Sequence, residues 1–178
     1  SPLVEIEEAK KHKLFEEFIQ EHHIDKDKKI IAFHPGFGGS SDANWTIDEY
    51  IELAKLLLDT EEYQIVFTFG PGEDDLYERV KKEEIDAFVL YKSKGSVMDF
   101  ATLISSFKLF ISTSTGTYHL AAMVGTPTMT FFADTLFASS KRWKSISDES
   151  IQMNRMIPLD TQKRADFLET IKKELEAI

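Results

Sequence analysis

Hydrophobic residues along the chain alternate between short continuous runs and runs with helical spacing. Runs rich in β-branched and aromatic residues predict strands at Ile30–His34, Tyr63–Phe69, Ala87–Tyr91, Leu109–Thr113 and Pro127–Phe132. Segments with one apolar face predict helices near Glu7–Glu21, Thr46–Leu58, Glu73–Lys82, Val97–Ser105, Tyr118–Val124 and Thr161–Ile178. Strands that alternate with helices predict an α/β fold, a Rossmann-like doubly wound parallel sheet with helices on both faces.

The helix that begins after Thr46 carries the clearest local signal. Thr46 and Glu49 have the spacing of a capping box, in which each side chain bonds to the backbone N–H of the other residue. Ser96 is predicted to cap the helix that starts at Val97. Trp45 is predicted to pack under the start of the Thr46 helix rather than to stack on a base.

The composition excludes several classes of function. A formal net charge of −10 argues against a general nucleic-acid binder, because such proteins present a stripe of Lys and Arg. The absence of Cys excludes disulfides, thiolate metal sites and cysteine nucleophiles, and it fits a reducing cytoplasm. No apolar run approaches the length of a membrane span, so we expect at most peripheral membrane association. The 178 residues predict one domain, 1–178, and the abrupt Ser-Pro start predicts a fragment of a longer protein.

The segment Leu109–Phe132 carries the strongest indication of a ligand. A predicted strand leads through a tight turn at Gly116 into a short helix and a second strand. Free backbone N–H groups and the positive end of the helix dipole favour phosphate at such a turn, although an ordinary βα turn is the alternative. His119, in the first turn of that helix, is expected to donate one hydrogen bond to a ligand oxygen or to be structural. No second ligand stands at metal-binding spacing beside it, so no metal site is predicted.

Two further loops follow predicted strands. The loop from His34 to Trp45 holds three glycines and two serines, whose backbone amides could surround an anion, with a flexible surface loop as the alternative. The loop from Phe69 to Asp75 places carboxylates where they could accept hydrogen bonds from ribose hydroxyls, or where they could simply cap the next helix. The basic segment Ser139–Lys144 is either a contact for an anionic acceptor or membrane, or a solvated loop.

Together these loops resemble the C-terminal domain of glycosyltransferase family nine, the lipopolysaccharide heptosyltransferases and their relatives. The resemblance covers about Ile30–Trp143. It rests on His34-Pro-Gly…Gly-Gly-Ser…Asn44-Trp45, Phe69-Gly-Pro-Gly-Glu, Ser114-Thr-Gly-Thr-Tyr-His-Leu-Ala-Ala122…Gly-Thr-Pro127 and Arg142-Trp143. It implies the donor-binding half of an inverting GT-B glycosyltransferase, which transfers a sugar from a nucleotide-diphosphate sugar such as ADP-heptose to lipopolysaccharide core or a related envelope glycan.

The resemblance also implies which functions belong to each half of the enzyme. An N-terminal domain outside this chain would bind the acceptor and supply the general base, so no catalytic residue is expected here and the isolated domain is expected to be inactive. The enzyme would lie in the cytoplasm, at the inner face of the inner membrane, and would need no metal or other cofactor. Donor and phosphate contacts are implied at Gly39, Ser40, Ser41, Ser114, Thr115, Gly116 and His119. Ribose contacts are implied at Glu73 or Asp74.

Two departures from the family pattern define an alternative. The family usually has Asp where Ser114 stands, and heptosyltransferases often have Lys where Ala43 stands. Losing a sugar-binding carboxylate and a positive charge favours either a different donor or a degenerate, non-catalytic nucleotide-binding module with the same fold. A third hypothesis is an unrelated doubly wound domain whose loops match by chance.

Overall fold

A computed structural model describes residues 6–36, 45–113, 116–133, 152–157 and 161–176. Its elements, in chain order, are α1 Glu8–His22, β1 Lys29–His34, α2 Ile47–Leu58, β2 Tyr63–Phe69, α3 Asp74–Lys81, β3 Phe88–Lys92, α4 Val97–Ile104, β4 Leu109–Thr113, α5 Gly116–Met123, β5 Thr128–Ala133, β6 Gln152–Ile157 and α6 Thr161–Glu176. Every strand and helix that the hydrophobic pattern predicted is therefore present, within two residues at most ends.

The strands form a six-stranded sheet in the order β3-β2-β1-β4-β5-β6. All neighbouring strands are parallel. The chain runs from β1 outwards to β3, returns to place β4 beside β1, and then runs outwards to β6. This confirms the doubly wound fold, and the reversal between β1 and β4 is the point at which such sheets open a crevice for a ligand.

Helices cover both faces of the sheet and bury two hydrophobic cores. On one face α2, α3 and α6 pack over side chains such as Phe33, Phe67 and Ile111. On the other face α1, α4 and α5 pack over Ala32, Val66 and Phe110. Successive strand residues belong to opposite cores because side chains alternate across a sheet. Burial of these apolar faces, at roughly 25 cal/mol per Å², is the main force that holds the helices in place.

The predicted helix caps are confirmed. The Thr46 hydroxyl accepts from the backbone N–H of Glu49 at 3.2 Å, and the Glu49 carboxylate accepts from the backbone N–H of Thr46 at 3.1 Å. The Ser96 hydroxyl accepts from the backbone N–H of Asp99 at 3.0 Å. Both caps stand where a loop at the carboxyl edge of the sheet turns into a helix, so they fix the direction in which α2 and α4 leave that edge.

One strand was not predicted, and one helix begins earlier than predicted. Half of the residues of β6, Gln152 to Ile157, are polar and only one is β-branched, and the segment becomes a strand by pairing in parallel with β5. Helix α5 begins at Gly116 rather than at Tyr118, three residues after the end of β4. Its Ala121 and Ala122 are fully buried against the sheet.

Candidate functional site: a pocket at the carboxyl edge of the sheet

A pocket of about 460 Å³ opens beyond the carboxyl ends of β1, β2 and β3, on the face covered by α4 and α5. The loops after these strands and the first turns of the two helices form its walls, and its lining residues are His34, Gly70, Pro71, Ser93, Gly95, Ser96, Val97, Phe100 and Leu120. Volumes of roughly 300 to 1,000 Å³ are typical of small-molecule sites. The pocket therefore lies where a doubly wound sheet binds its ligand, and its volume is typical of small-molecule sites.

The strand register places buried polar side chains in a row under this edge. Tyr91 lies opposite Thr68, His34 opposite Ser112, and Ser112 opposite Thr130. The His34 Nδ1 and Thr68 Oγ1 atoms are 2.9 Å apart, which joins the row across β1 and β2. Burial of polar groups is unfavourable unless they find partners. A polar row at the edge that opens into this pocket therefore makes it the candidate functional edge of the sheet.

His34 occupies the centre of this row and lines the pocket. It is only 4% exposed, and its Nε2 lies 3.6 Å from Oε1 of Glu73. Burial lowers the pKa of His34, and the neighbouring Glu73 carboxylate and a contact with Thr68 raise it in partial compensation. His34 begins the motif His34-Pro-Gly…Gly-Gly-Ser…Asn44-Trp45, and no role was predicted for it from the sequence. The available signal was a histidine at the last position of a buried strand, directly before Pro-Gly.

Glu73 is held beside two residues that line the pocket, His34 and Gly70. It stands at the N-cap position of α3, and its side chain does not cap that helix. Instead, its Oε1 accepts a hydrogen bond of 2.5 Å from the backbone N–H of Gly70. Its other oxygen lies over Gly36, in the space that a Cβ atom there would occupy. With only 18% of its side chain exposed, Glu73 is held against both the first and the second loop.

Asp74, the other candidate for the ribose, lies in a different environment. Its Oδ1 forms an ion pair of 3.1 Å with the Lys92 ammonium group, and its side chain is 79% exposed. The same ammonium group lies 4.3 Å from the centre of the Tyr77 ring. Of the two carboxylates named from the sequence, the structure brings Glu73 beside the pocket-lining His34 and Gly70, and it pairs Asp74 with a surface lysine.

The remaining predicted contacts lie partly outside the described residues. Gly39, Ser40, Ser41, Ser114, Thr115 and the basic segment Ser139–Lys144 all fall there. Gly116 and His119 lie in α5, which Gly116 begins, three residues after the last residue of β4. Leu120, in the first turns of the same helix, lines the pocket, so the start of α5 lies close to it.

Trp45 ends the first loop and is buried, as predicted. It is 2% exposed, and its ring centre lies 4.2 Å from that of Phe131 and 5.3 Å from that of Tyr50. These contacts tie the end of the first loop to β5 and α2. Trp45 therefore belongs to the core on the α2 face rather than to the pocket on the opposite face.

Among the described residues, no helix is both long enough and apolar enough to span a membrane. In the same part of the chain, no three histidine, aspartate or glutamate side chains cluster in a way that could hold a metal ion.

A doubly wound parallel sheet with a pocket at its switch point and a carboxylate beside the pocket-lining residues defines a Rossmann-like ligand-binding domain. The sequence profile of glycosyltransferase family 9 (heptosyltransferase) matches residues 2–172. The chain therefore belongs to glycosyltransferase family 9, which confirms the resemblance drawn from the three loops.

Individual relatives agree with this assignment. A Haemophilus influenzae protein described as a glycosyltransferase is 34% identical over 133 residues, which are 74% of this chain and 38% of the relative. The structure of E. coli ADP-heptose lipopolysaccharide heptosyltransferase II has the same fold, with a TM-score of 0.75 at 21% identity over 98% of this chain and 52% of that one. E. coli heptosyltransferase WaaC, solved with ADP, gives a TM-score of 0.63 at 22% identity over 83% of this chain and 46% of that one. The chain thus spans about half the length of these proteins or less.

Proposed function

We propose that this chain is the donor-binding half of an inverting glycosyltransferase that transfers a sugar from a nucleotide-diphosphate sugar to lipopolysaccharide core or a related envelope glycan. The observation that carries the proposal is the pocket of about 460 Å³ at the carboxyl ends of β1 to β3, with the Glu73 carboxylate held beside two of its lining residues, His34 and Gly70. Membership of family 9 supports glycosyl transfer. WaaC has been solved with ADP and with ADP-2-deoxy-2-fluoro heptose, which supports an ADP-sugar as the donor.

Each part of the pocket suits one part of such a donor. Val97, Phe100 and Leu120 form apolar walls that suit a planar base. Glu73 presents an acceptor for ribose hydroxyls. The diphosphate would lie at the start of α5, where backbone N–H groups and the helix dipole favour negative charge, with support from Ser40, Ser41 and Thr115.

The transfer follows from this arrangement. A hydroxyl group of the acceptor attacks the anomeric carbon of the sugar, the bond from that carbon to the diphosphate oxygen breaks, and the configuration inverts. The general base in the other half of the enzyme takes the proton of the attacking hydroxyl. Negative charge then develops on the departing nucleoside diphosphate, and fixed N–H dipoles at the start of α5 stabilise it without a metal ion. The reaction would take place in the cytoplasm, at the inner face of the inner membrane.

A degenerate, non-catalytic nucleotide-binding module is the second candidate. Ser114 and Ala43 favour it, because they replace a carboxylate and an ammonium group of the family pattern. Both candidates predict nucleotide binding by this chain. Only the first predicts that the full-length gene product releases nucleoside diphosphate from a nucleotide-sugar in the presence of an acceptor glycan, so that assay separates them.

Calorimetric titration of the chain with ADP, UDP, GDP and CMP, without added metal, tests donor binding. We expect saturable binding of one nucleotide and its loss in Gly116→Val, since a side chain at the start of α5 would block the approach of phosphate to the backbone. Thr126→Val serves as a control: it removes a buried hydrogen bond to Ile104 at the opposite edge of the sheet and should leave binding unchanged. Unchanged affinity in Gly116→Val would exclude this phosphate site. Absence of binding by both the chain and the full-length product would overturn the proposed function.

A further inference from the structure

We propose that His34 is a positioning residue that orients the Glu73 carboxylate, so that this pocket discriminates ribose from deoxyribose. The inference rests on the proposed function, in which Glu73 accepts a hydrogen bond from a ribose hydroxyl. His34 acts on the sugar through Glu73. It thereby determines which class of nucleotide, ribo or deoxyribo, the pocket accepts.

The orientation of the His34 ring is set from the β2 side. Its Nδ1 lies 2.9 Å from the Thr68 hydroxyl, and Thr68 is completely buried. The ring also stacks on Phe110 of β4, with 6.1 Å between ring centres and 24° between ring planes. With one nitrogen directed at Thr68 and one face against Phe110, the other nitrogen, Nε2, is directed at Glu73, 3.6 Å away.

An N–H group at Nε2 attracts the carboxylate of Glu73. Both the imidazolium form and the neutral tautomer protonated at Nε2 carry this N–H. In that tautomer the Thr68 hydroxyl donates to Nδ1, 2.9 Å away, rather than to the Phe33 carbonyl, 3.4 Å away. A distance of 3.6 Å exceeds that of a hydrogen bond, and the interaction is therefore electrostatic. Because the site is buried, that attraction is stronger than it would be in water.

The two contacts to Glu73 converge on a single oxygen. The backbone N–H of Gly70 donates to Oε1, and Nε2 of His34 faces the same atom. Oε2 lies instead over Gly36, at the start of the first loop. Since both polar contacts that the Glu73 carboxylate makes among the described residues go to Oε1, Oε2 is the oxygen that would accept from a ligand hydroxyl. In this arrangement the Gly70 amide anchors Glu73, and the His34 ring determines its rotation about that anchor.

The test compares ADP with 2′,3′-dideoxy-ADP in wild type, His34→Gln and His34→Asn. The Gln amide nitrogen can take the place of Nε2, whereas the shorter Asn side chain reaches only the position of Nδ1. A hydrogen bond to a charged group contributes about 1.5–3 kcal/mol, so wild type should bind ADP roughly 10- to 100-fold more tightly than the dideoxy nucleotide. We expect this ratio to fall below about 3 in His34→Asn and to be largely retained in His34→Gln.

Controls separate positioning from a loss of folding. Thr126→Val should lower the thermal midpoint and leave the ratio unchanged. Thr68→Val preserves the shape of the side chain at position 68 and removes the hydroxyl partner of His34 Nδ1. This variant should lower the preference for ADP over the dideoxy nucleotide in part. It serves as the test variant if His34→Asn does not fold.

Equal losses of affinity for both nucleotides in His34→Asn, with the ratio preserved, would overturn the inference. Binding of ADP by wild type without a preference for ribose would also overturn it, and would leave donor binding intact. Absence of nucleotide binding by both this chain and the full-length product would overturn the proposed function itself, and this inference with it.

Discussion

The carboxylate of Glu73 occupies the space in which a side chain at Gly36 would begin. These two residues lie in different loops, one after β1 and the other after β2. The glycine is therefore required by close approach of a side chain rather than by its own backbone angles. The position of the Glu73 carboxylate, which is proposed to bind the ribose, therefore depends on the absence of a side chain at Gly36 in the loop after β1.

Gly36→Ala should displace Glu73 and weaken nucleotide binding with little effect on stability, because the far end of a flexible side chain can move aside. Loss of a charged hydrogen bond of about 1.5–3 kcal/mol predicts a roughly 10-fold or greater rise in Kd for ADP. In a Glu73→Gln background the same substitution should cost much less, since the two changes act on one interaction. Calorimetry on the four proteins of this double-mutant cycle measures both effects.

Gly72→Ala provides the matched contrast. Gly72 has a φ of +80°, and an added Cβ would meet nothing within 4 Å. The substitution should therefore destabilise the fold by about 1 kcal/mol through backbone strain and leave the Kd for ADP unchanged. A large rise in Kd for Gly72→Ala, or none for Gly36→Ala, would contradict this account of Gly36.

Thr126→Val and Thr128→Val should have opposite effects, although they are the same substitution two residues apart. The Thr126 hydroxyl donates to the Ile104 carbonyl at 2.9 Å, whereas the buried Thr128 hydroxyl has no hydrogen-bond partner among the described residues. Removal of the first bond should destabilise the protein by about 1 kcal/mol, and replacement of the second hydroxyl by a methyl group should be neutral or stabilising. Urea denaturation measures the free energy of unfolding of each variant. A loss in Thr128→Val equal to that in Thr126→Val would show that Thr128 is hydrogen-bonded in solution.

Thr46→Ala should remove the capping box of α2 and lower the free energy of unfolding by about 1 kcal/mol. The matched control is Thr170→Ala in α6, where the Thr170 hydroxyl only bonds back to the Asp166 carbonyl. Since alanine is the better helix former, this control should be neutral or slightly stabilising. Thermal unfolding followed by circular dichroism distinguishes the two. If both variants unfolded at the wild-type temperature, the box would contribute nothing to stability.

His34 should make the protein less stable in acid. Burial lowers the pKa of His34 in the folded state below its ordinary value of about 6.5, so that the unfolded chain binds the proton more readily. The resulting stability is fully present above pH 6.5 and is lost as the pH falls towards the folded pKa, by at most about 1.4 kcal/mol per pH unit. The free energy of unfolding of wild type should therefore fall more steeply between pH 7 and pH 5 than that of His34→Gln.

A second histidine provides the comparison for this pH dependence. Burial also lowers the pKa of His22, which is only half-buried, so His22→Gln should reduce the slope less than His34→Gln does. Identical slopes in wild type and His34→Gln would contradict the assignment of acid sensitivity to His34.

Local sequence was sufficient for most of the fold. The spacing of apolar residues predicted the strands of the central sheet and the helices on both sides, because that spacing reflects which face of each element is buried. The Thr46–Glu49 capping box could be identified because both of its hydrogen bonds join residues three positions apart. The position of the site was also predictable, since glycine-rich loops followed several predicted strands and parallel strands end at a common edge.

Only the tertiary structure determined those features that depend on contacts between residues far apart in the sequence. Strand β6 could not be identified from its sequence, in which half of the residues are polar. It becomes a strand because its backbone hydrogen-bonds to the edge strand β5. The different surroundings of Glu73 and Asp74 depend on where Gly70, Gly36 and Lys92 lie around them. His34 acquires its surroundings from Thr68, 34 residues away, and from Glu73 in the next loop. The sequence by itself thus determined the order of elements and the edge that holds the site, because those depend on near neighbours. Which side chains meet at that edge was determined only when the strands came together in the order β3-β2-β1-β4.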